Sequence, residues 1–287
     1  MRHAEERELS GKGVDRMYQT TYFKGKASLL LLAFACSAVG VSLGQNRVYT
    51  PSFSMAMKLG GDLHDALPQQ YFDKLDALPI ALQPQDLPLI CPVAVNADNR
   101  LQCQVELSAG FIDLVNRLCH AKAIDKIQHG FFDQYVANLA RLSAADPAAP
   151  PPPIVEARYW NEDILNDQLG SFNQMMGMMM AINMSHHYLG HYTKYGAKLT
   201  GPGNKLLPIN DFLTPSEWEE SVKAGALDAL NCALSTEGLR VIFEALDKMP
   251  VRPAWADYIA PPKTDFKSLN RALAKYEDDF FHGRIKN

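Results

Sequence analysis

The feature that most constrains the fold is a proline-free stretch from Asn161 to Tyr195, which is rich in methionine and leucine. A stretch this long, with no proline and with apolar residues around its whole circumference, predicts a helix that runs through the core. Gly170 indicates one place where the helix could break. Whatever else the chain forms has to pack around this helix.

Elsewhere the sequence predicts further helices and one hairpin. Residues 88–105 have β-branched and apolar residues on both sides of an Asn/Asp turn, which is typical of a hairpin. Thr214, Pro215 and Glu217 fit a capping box at the start of a helix. Helical patterns cover 52–78 (interrupted at Gly60-Gly61 and Pro68), 106–119, 124–142, 217–235, 236–249 and 267–281. We therefore expect a mostly helical α+β fold with a small sheet.

The segment "SAADPAAPPPPIVEA", residues 143–157, contains too much proline for a helix or a central strand. It predicts a surface loop with polyproline character. Because it is short, we interpret it as part of an insertion near residues 121–160 within a single domain, residues 45–287.

Bulk composition excludes one class of partner. The hydrophobic content of 47% and charged content of 21% are those of an ordinary globular protein. The net charge of −4 provides no basic face for a phosphate backbone. We do not expect nucleic-acid binding.

The N-terminal residues 1–44 resemble a tail followed by a secretory signal. Lys24 and Lys26 precede an apolar run at residues 27–43, which is too short for a full membrane span. Met17 is an alternative start that gives a more usual signal length. Lipoprotein processing at Cys36 and an uncleaved membrane anchor remain alternatives. We expect the protein to be periplasmic or secreted. The alternative is that this segment anchors it to the membrane.

Four cysteines follow the signal, and export would allow them to form disulfides. Cys91 and Cys103 flank a segment whose midpoint is Ala97, so a hairpin turning there would place them opposite each other. Cys119 and Cys232 would then form the remaining pair. The alternative is that all four are free thiols.

Three histidines, His186, His187 and His191, lie close together near the end of the proline-free stretch. On one helix, residues four apart project from the same face, so His187 and His191 could hold one metal ion between their rings. Histidines with ordinary partners in the core or at the surface are the alternative. The spacing predicts a zinc site.

A third zinc ligand is expected from a later helix, and a carboxylate is a common choice. Asp228 lies within "AGALDALNCAL", a stretch of small and apolar residues in which a carboxylate needs a partner. Glu220 is the alternative. The predicted ligand set is His187, His191 and Asp228.

The segment "VNADNRLQCQVELSAGFIDLV" resembles part of the HtpX-like and CaaX-prenyl-protease-like zinc metallopeptidases, which are gluzincins. Residues 95–97 match its Val-Asn-Ala opening, and residues 108–112 match its turn into a helix. In that family this segment forms the edge strand beside the active site, and a later H-E-x-x-H helix binds zinc. The resemblance covers roughly residues 55–250. It implies a gluzincin-like scaffold, a peptide or protein substrate or partner, and metal-assisted peptide hydrolysis.

Two residues depart from the family pattern. Tyr188 stands where the family has the glutamate that takes a proton from the metal-bound water. A phenol with an ordinary pKa near 10 is a poor base at neutral pH. Ala224 precedes Asp228 by four residues, where the family has its ligand glutamate. An active enzyme would need another base, and the nearest candidates are Glu162, Glu219 and Glu220.

Three hypotheses follow from the sequence. The first is an exported zinc metallopeptidase-like protein that binds metal through His187, His191 and Asp228. The second is a catalytically inactive relative that acts as a binding or envelope-assembly factor, which Tyr188 and Ala224 favour. The third is a metal carrier, because the methionines near the histidines could suit copper(I).

Overall fold

The computed structural model describes residues 51–97 and 100–285, and in this part of the chain helices outnumber strands by nine to three. The protein is therefore a mostly helical α+β protein, as the sequence predicts. Short 3-10 turns join several of the elements. In chain order these are α1 (Pro51–Asp65), α2 (Gln69–Phe72), β1 (Ile80–Gln83), β2 (Ile90–Ala97), β3 (Arg100–Ser108), α3 (Ala109–Asp125), α4 (Phe131–Ala145), α5 (Glu162–Tyr188), α6 (His191–Tyr195), α7 (Pro215–Asn231), α8 (Glu237–Lys248) and α9 (Phe266–Phe281).

The proline-free stretch forms α5, and α1, α3, α7 and α8 pack around it. Its methionines from Met175 to Met184 are all fully buried, so they fill the core of the molecule. The expected break near Gly170 is wrong, because α5 runs through that residue without interruption. The break comes instead at Gly190, whose φ of +83° is a left-handed conformation that glycine adopts at little cost.

Two glycines let α7 and α8 approach the backbone of α5. A β-carbon at Gly225 would lie 2.6 Å from the backbone nitrogen of Ile182. A β-carbon at Gly238 would lie 2.2 Å from the backbone nitrogen of Met175. Both distances are far below van der Waals contact, so the close packing of the three helices depends on the absence of side chains at these positions.

The sheet has the strand order β1-β3-β2, with β2 and β3 antiparallel and β1 parallel to β3. The predicted hairpin is therefore confirmed, whereas β1 was not predicted. Ser108 joins the sheet to α3, because its hydroxyl accepts a hydrogen bond from the Phe111 backbone N–H and caps the helix. The hairpin rests against the C-terminal part of α5.

The expected Cys91–Cys103 juxtaposition is wrong. The hairpin pairs Ala97 with Arg100, so the turn comes after Ala97 and not at it, and Cys91 lies opposite Glu106. All four cysteines of the described residues are free thiols. Burial raises the pKa of Cys91 and of Cys119 well above the ordinary thiol value, which disfavours the reactive thiolate.

The proline-rich segment, residues 143–157, is hydrogen-bonded to neighbouring residues and is only partly exposed. The Tyr135 hydroxyl donates to the Pro152 carbonyl at 3.0 Å, and the Trp160 indole N–H donates to the Ile154 carbonyl at 2.9 Å. Pro151 and Pro152 are buried. All of the described residues fall within one compact unit.

The predicted signal at residues 27–43 lies outside the described residues. Among the residues that are described, no helix has the length and apolar character needed to cross a membrane.

Candidate functional site

The predicted metal-site histidines lie on two helices and not on one. His186 and His187 are in the last turn of α5, and His191 is the first residue of α6. The left-handed Gly190 between them turns the chain, so the one-face geometry expected for His187 and His191 does not form. All three rings are nevertheless buried.

His186 and His191 contact each other directly. Their Nδ1 atoms are 3.1 Å apart, so a proton on one nitrogen can be donated to the other. The Nε2 of His191 lies 3.7 Å from a carboxylate oxygen of Glu220 in α7. Burial lowers the pKa of both rings, and for His186 the neighbouring histidines lower it further. At neutral pH the pair is therefore uncharged.

His187 is attached to the sheet. Its Nε2 lies 2.8 Å from the backbone oxygen of Gln104 in β3, so this nitrogen carries the proton and donates it. Burial lowers the pKa of His187 to about 4, which keeps the ring neutral. Its ring centroid is 4.8 Å from that of Tyr192, whose hydroxyl oxygen accepts the backbone N–H of Ala94 at 2.9 Å. These contacts close the space between the hairpin and the end of α5.

Tyr188 forms the shortest polar contact of this region. Its hydroxyl donates to Oδ2 of Asp228 at 2.5 Å, and both side chains are buried. The ring of Tyr71 stacks on that of Tyr188 with centroids 4.5 Å apart, and Lys74 Nζ donates to the Tyr188 backbone oxygen at 3.0 Å. The phenol is thus held in place from several sides.

Burial favours the protonated form of both Tyr188 and Asp228. Burial raises the pKa of Asp228 to about 7, although the hydrogen bond from Tyr188 opposes this rise. Burial and the adjacent Asp228 carboxylate raise the pKa of the Tyr188 phenol far above its ordinary value. Tyr188 is therefore a hydrogen-bond donor and not a base.

The three predicted zinc ligands do not form a common ligand set in this geometry. His187 is engaged by Gln104, His191 by His186, and Asp228 by Tyr188. Across residues 51–97 and 100–285, no three His, Cys, Asp or Glu side chains cluster closely enough to hold a metal ion. The arrangement fits a zinc ion poorly, and zinc binding by these residues stays a prediction.

The candidate bases are dispersed. Glu162 is at the start of α5, about 40 Å along the helix from its histidine end at 1.5 Å per residue. Glu220 faces His191, and Glu219 lines a separate cavity. None of the three contacts Tyr188 or His187 through a hydrogen bond in the described structure.

The separate cavity lies between α7 and α9 and has a volume of about 780 Å³. Trp218 contributes to its wall, and Lys223 and Lys263 also line it. The sequence did not predict this site, because these residue types carry no spacing signal and because α8 and the segment after it separate α7 from α9 along the chain.

Comparison of the chain with models of protein families, with curated proteins and with solved structures found no match.

Proposed function

We propose that this protein is a non-hydrolytic relative of the HtpX-like zinc metallopeptidases, built on a gluzincin-like scaffold, which acts outside the cytoplasm as a binding or envelope-assembly factor. The observation that carries the proposal is the 2.5 Å hydrogen bond from Tyr188 to Asp228. Tyr188 stands at the position where the family resemblance places the catalytic glutamate.

The chemistry of this position argues against peptide hydrolysis. Metal-assisted hydrolysis needs a group that accepts a proton from water and returns it to the leaving amine. The Tyr188 hydroxyl already donates a hydrogen bond to Asp228, and burial raises the pKa of the phenol. Asp228 accepts this hydrogen bond and is itself buried, so neither group is available to take a proton from water.

The hairpin edge supports the same proposal. A peptide that pairs with a sheet edge needs free backbone N–H and C=O groups on that edge. On β2, which is the edge strand on this side of the sheet, the Ala94 N–H already donates to the Tyr192 hydroxyl. This edge donor is therefore already used by one of the protein's own side chains.

The scaffold assignment rests on the order of elements and on the coarse fold class. The hairpin β2–β3, the helix α3, the long helix α5 with its histidine end, and α7 with Asp228 follow one another in the order that the resemblance implies. Export rests on the apolar run after Lys24 and Lys26 alone.

Casein cleavage with and without a chelator tests the proposal. We expect the purified protein, supplied with zinc, to release no more peptide than a His187→Ala variant, and we expect the chelator to change nothing. Cleavage that the chelator abolishes and that His187→Ala removes would show that the protein is a metallopeptidase after all.

A further inference from the structure

The cavity between α7 and α9 has the size and lining of a small-molecule site. Its volume of about 780 Å³ lies within the range of roughly 300–1,000 Å³ that is typical of ligand pockets. Apolar side chains from both helices and from the preceding loop form much of the wall, namely Leu213, Val222, Leu269, Leu273 and Tyr276. An apolar chain in this space would be removed from water by them.

Trp218 adds a hydrogen-bond donor that the fold does not use. It lines the cavity with only 6% of its surface exposed, and its indole N–H is buried without a partner in the described structure. The other two tryptophans are satisfied, since Trp160 donates to the Ile154 carbonyl and Trp255 donates to the Ser143 hydroxyl. A buried donor left without an acceptor costs free energy, which an acceptor from a ligand would recover.

The charged groups of the lining include two ammonium groups without an ion pair. Lys223 and Lys263 have no carboxylate partner among the described residues, and Lys263 is held at a φ of +68°, an uncommon conformation for a lysine. Of the acidic residues in the lining, Asp265 accepts the Ser268 N–H as the cap of α9, and Asp211 and Glu219 are exposed, as the two lysines are.

We propose that this cavity binds an amphipathic carboxylate, with an aliphatic chain against the apolar wall and a carboxylate that accepts from the Trp218 indole N–H and meets Lys223 and Lys263. This proposal adds a ligand class to the proposed binding function. It rests on that function because it takes ligand binding to be what the protein does. The site is separate from the histidine region, so a failure of one claim can be distinguished from a failure of the other.

Dodecanoate, titrated below its micelle-forming concentration into the full chain, is the direct probe. We expect saturable binding by calorimetry, at least about tenfold weaker for Trp218→Phe, because a hydrogen bond to a charged acceptor is lost while the ring is kept. Trp160→Phe, which changes a tryptophan outside the cavity, is the matched control and is expected to bind like the parent. Dodecyltrimethylammonium, which has the chain but no acceptor, is expected to bind at least tenfold more weakly than dodecanoate.

Two results would overturn the inference: no saturable binding of dodecanoate by the parent, or equal binding by Trp218→Phe or of the cationic amphiphile. Thermal unfolding without ligand checks that both variants are folded before their binding is compared. If Trp218→Phe does not fold, the comparison of dodecanoate with the cationic amphiphile on the parent protein decides. The casein assay is unaffected by either result.

Discussion

Replacing Asp228 by Asn is expected to stabilise the protein at pH 8 by up to about 4 kcal/mol, and by progressively less as the pH falls towards 4. In the folded protein the pKa of Asp228 is raised from its ordinary value of 3.8 to about 7. Between these values the folded state binds the proton more tightly than the unfolded state, so the unfolding free energy falls as the pH rises through this window. Each tenfold change in the ionisation constant is worth about 1.4 kcal/mol, which sets the upper limit.

Urea unfolding of the parent and of Asp228→Asn at pH 5 and pH 8 measures this effect. The buried histidines oppose it in the parent, because their lowered pKa values make the protein less stable as the pH falls below about 6.5. That contribution is common to both proteins and cancels in the difference. Asp167→Asn, an exposed partner of Lys126, is the control and should show little change at either pH. A difference between parent and Asp228→Asn that does not grow with pH would show that this carboxyl is not buried as described.

Alanine at Gly225 or at Gly238 is expected to destabilise the protein by about 1–3 kcal/mol or more. The added methyl group would meet the backbone of α5, which cannot move aside as a flexible side chain can, so α7 or α8 must shift. Since folded proteins have a total stability of about 5–15 kcal/mol, either change would be a large fraction of it.

Chemical unfolding of Gly225→Ala, Gly238→Ala and Gly170→Ala tests this packing. Gly170 is also within a helix, but a β-carbon there meets nothing within 4 Å, so alanine should stabilise by about 0.5–1 kcal/mol through helix propensity alone. Equal unfolding midpoints for all three variants would mean that the helices do not pack as closely as the structure places them.

Much of the helical content could be predicted from the sequence, because periodicity and capping act locally. The capping box at Thr214 and Glu217 is present as predicted. The choice of Gly190 over Gly170 as the end of α5 could not be predicted, because both are single glycines in a helical pattern. His187 contacts Gln104 before this turn, and His191 contacts His186 after it. Gln104 is distant in the sequence, and His191 reaches His186 because the chain turns at Gly190.

The candidate site was predicted only as a set of residues. The sequence drew attention to the histidines, Tyr188 and Asp228, and all are buried at the end of α5 or against it. Their partners could not be predicted, since Tyr188 and Asp228 are separated by forty residues and meet only through the packing of α7 on α5. The position of the hairpin turn, after Ala97, depends on strand pairing and likewise could not be predicted. An earlier turn would have placed Cys91 opposite Cys103.

Zinc binding by the parent, Asp228→Asn and His187→Ala, measured by equilibrium dialysis and metal analysis of the protein, tests most directly whether these residues serve each other or a metal. If the Tyr188–Asp228 and His187–Gln104 contacts are the functional state, neither substitution should change the amount of zinc that the protein retains. Stoichiometric zinc in the parent that is lost in both variants would contradict the account and restore the metal site.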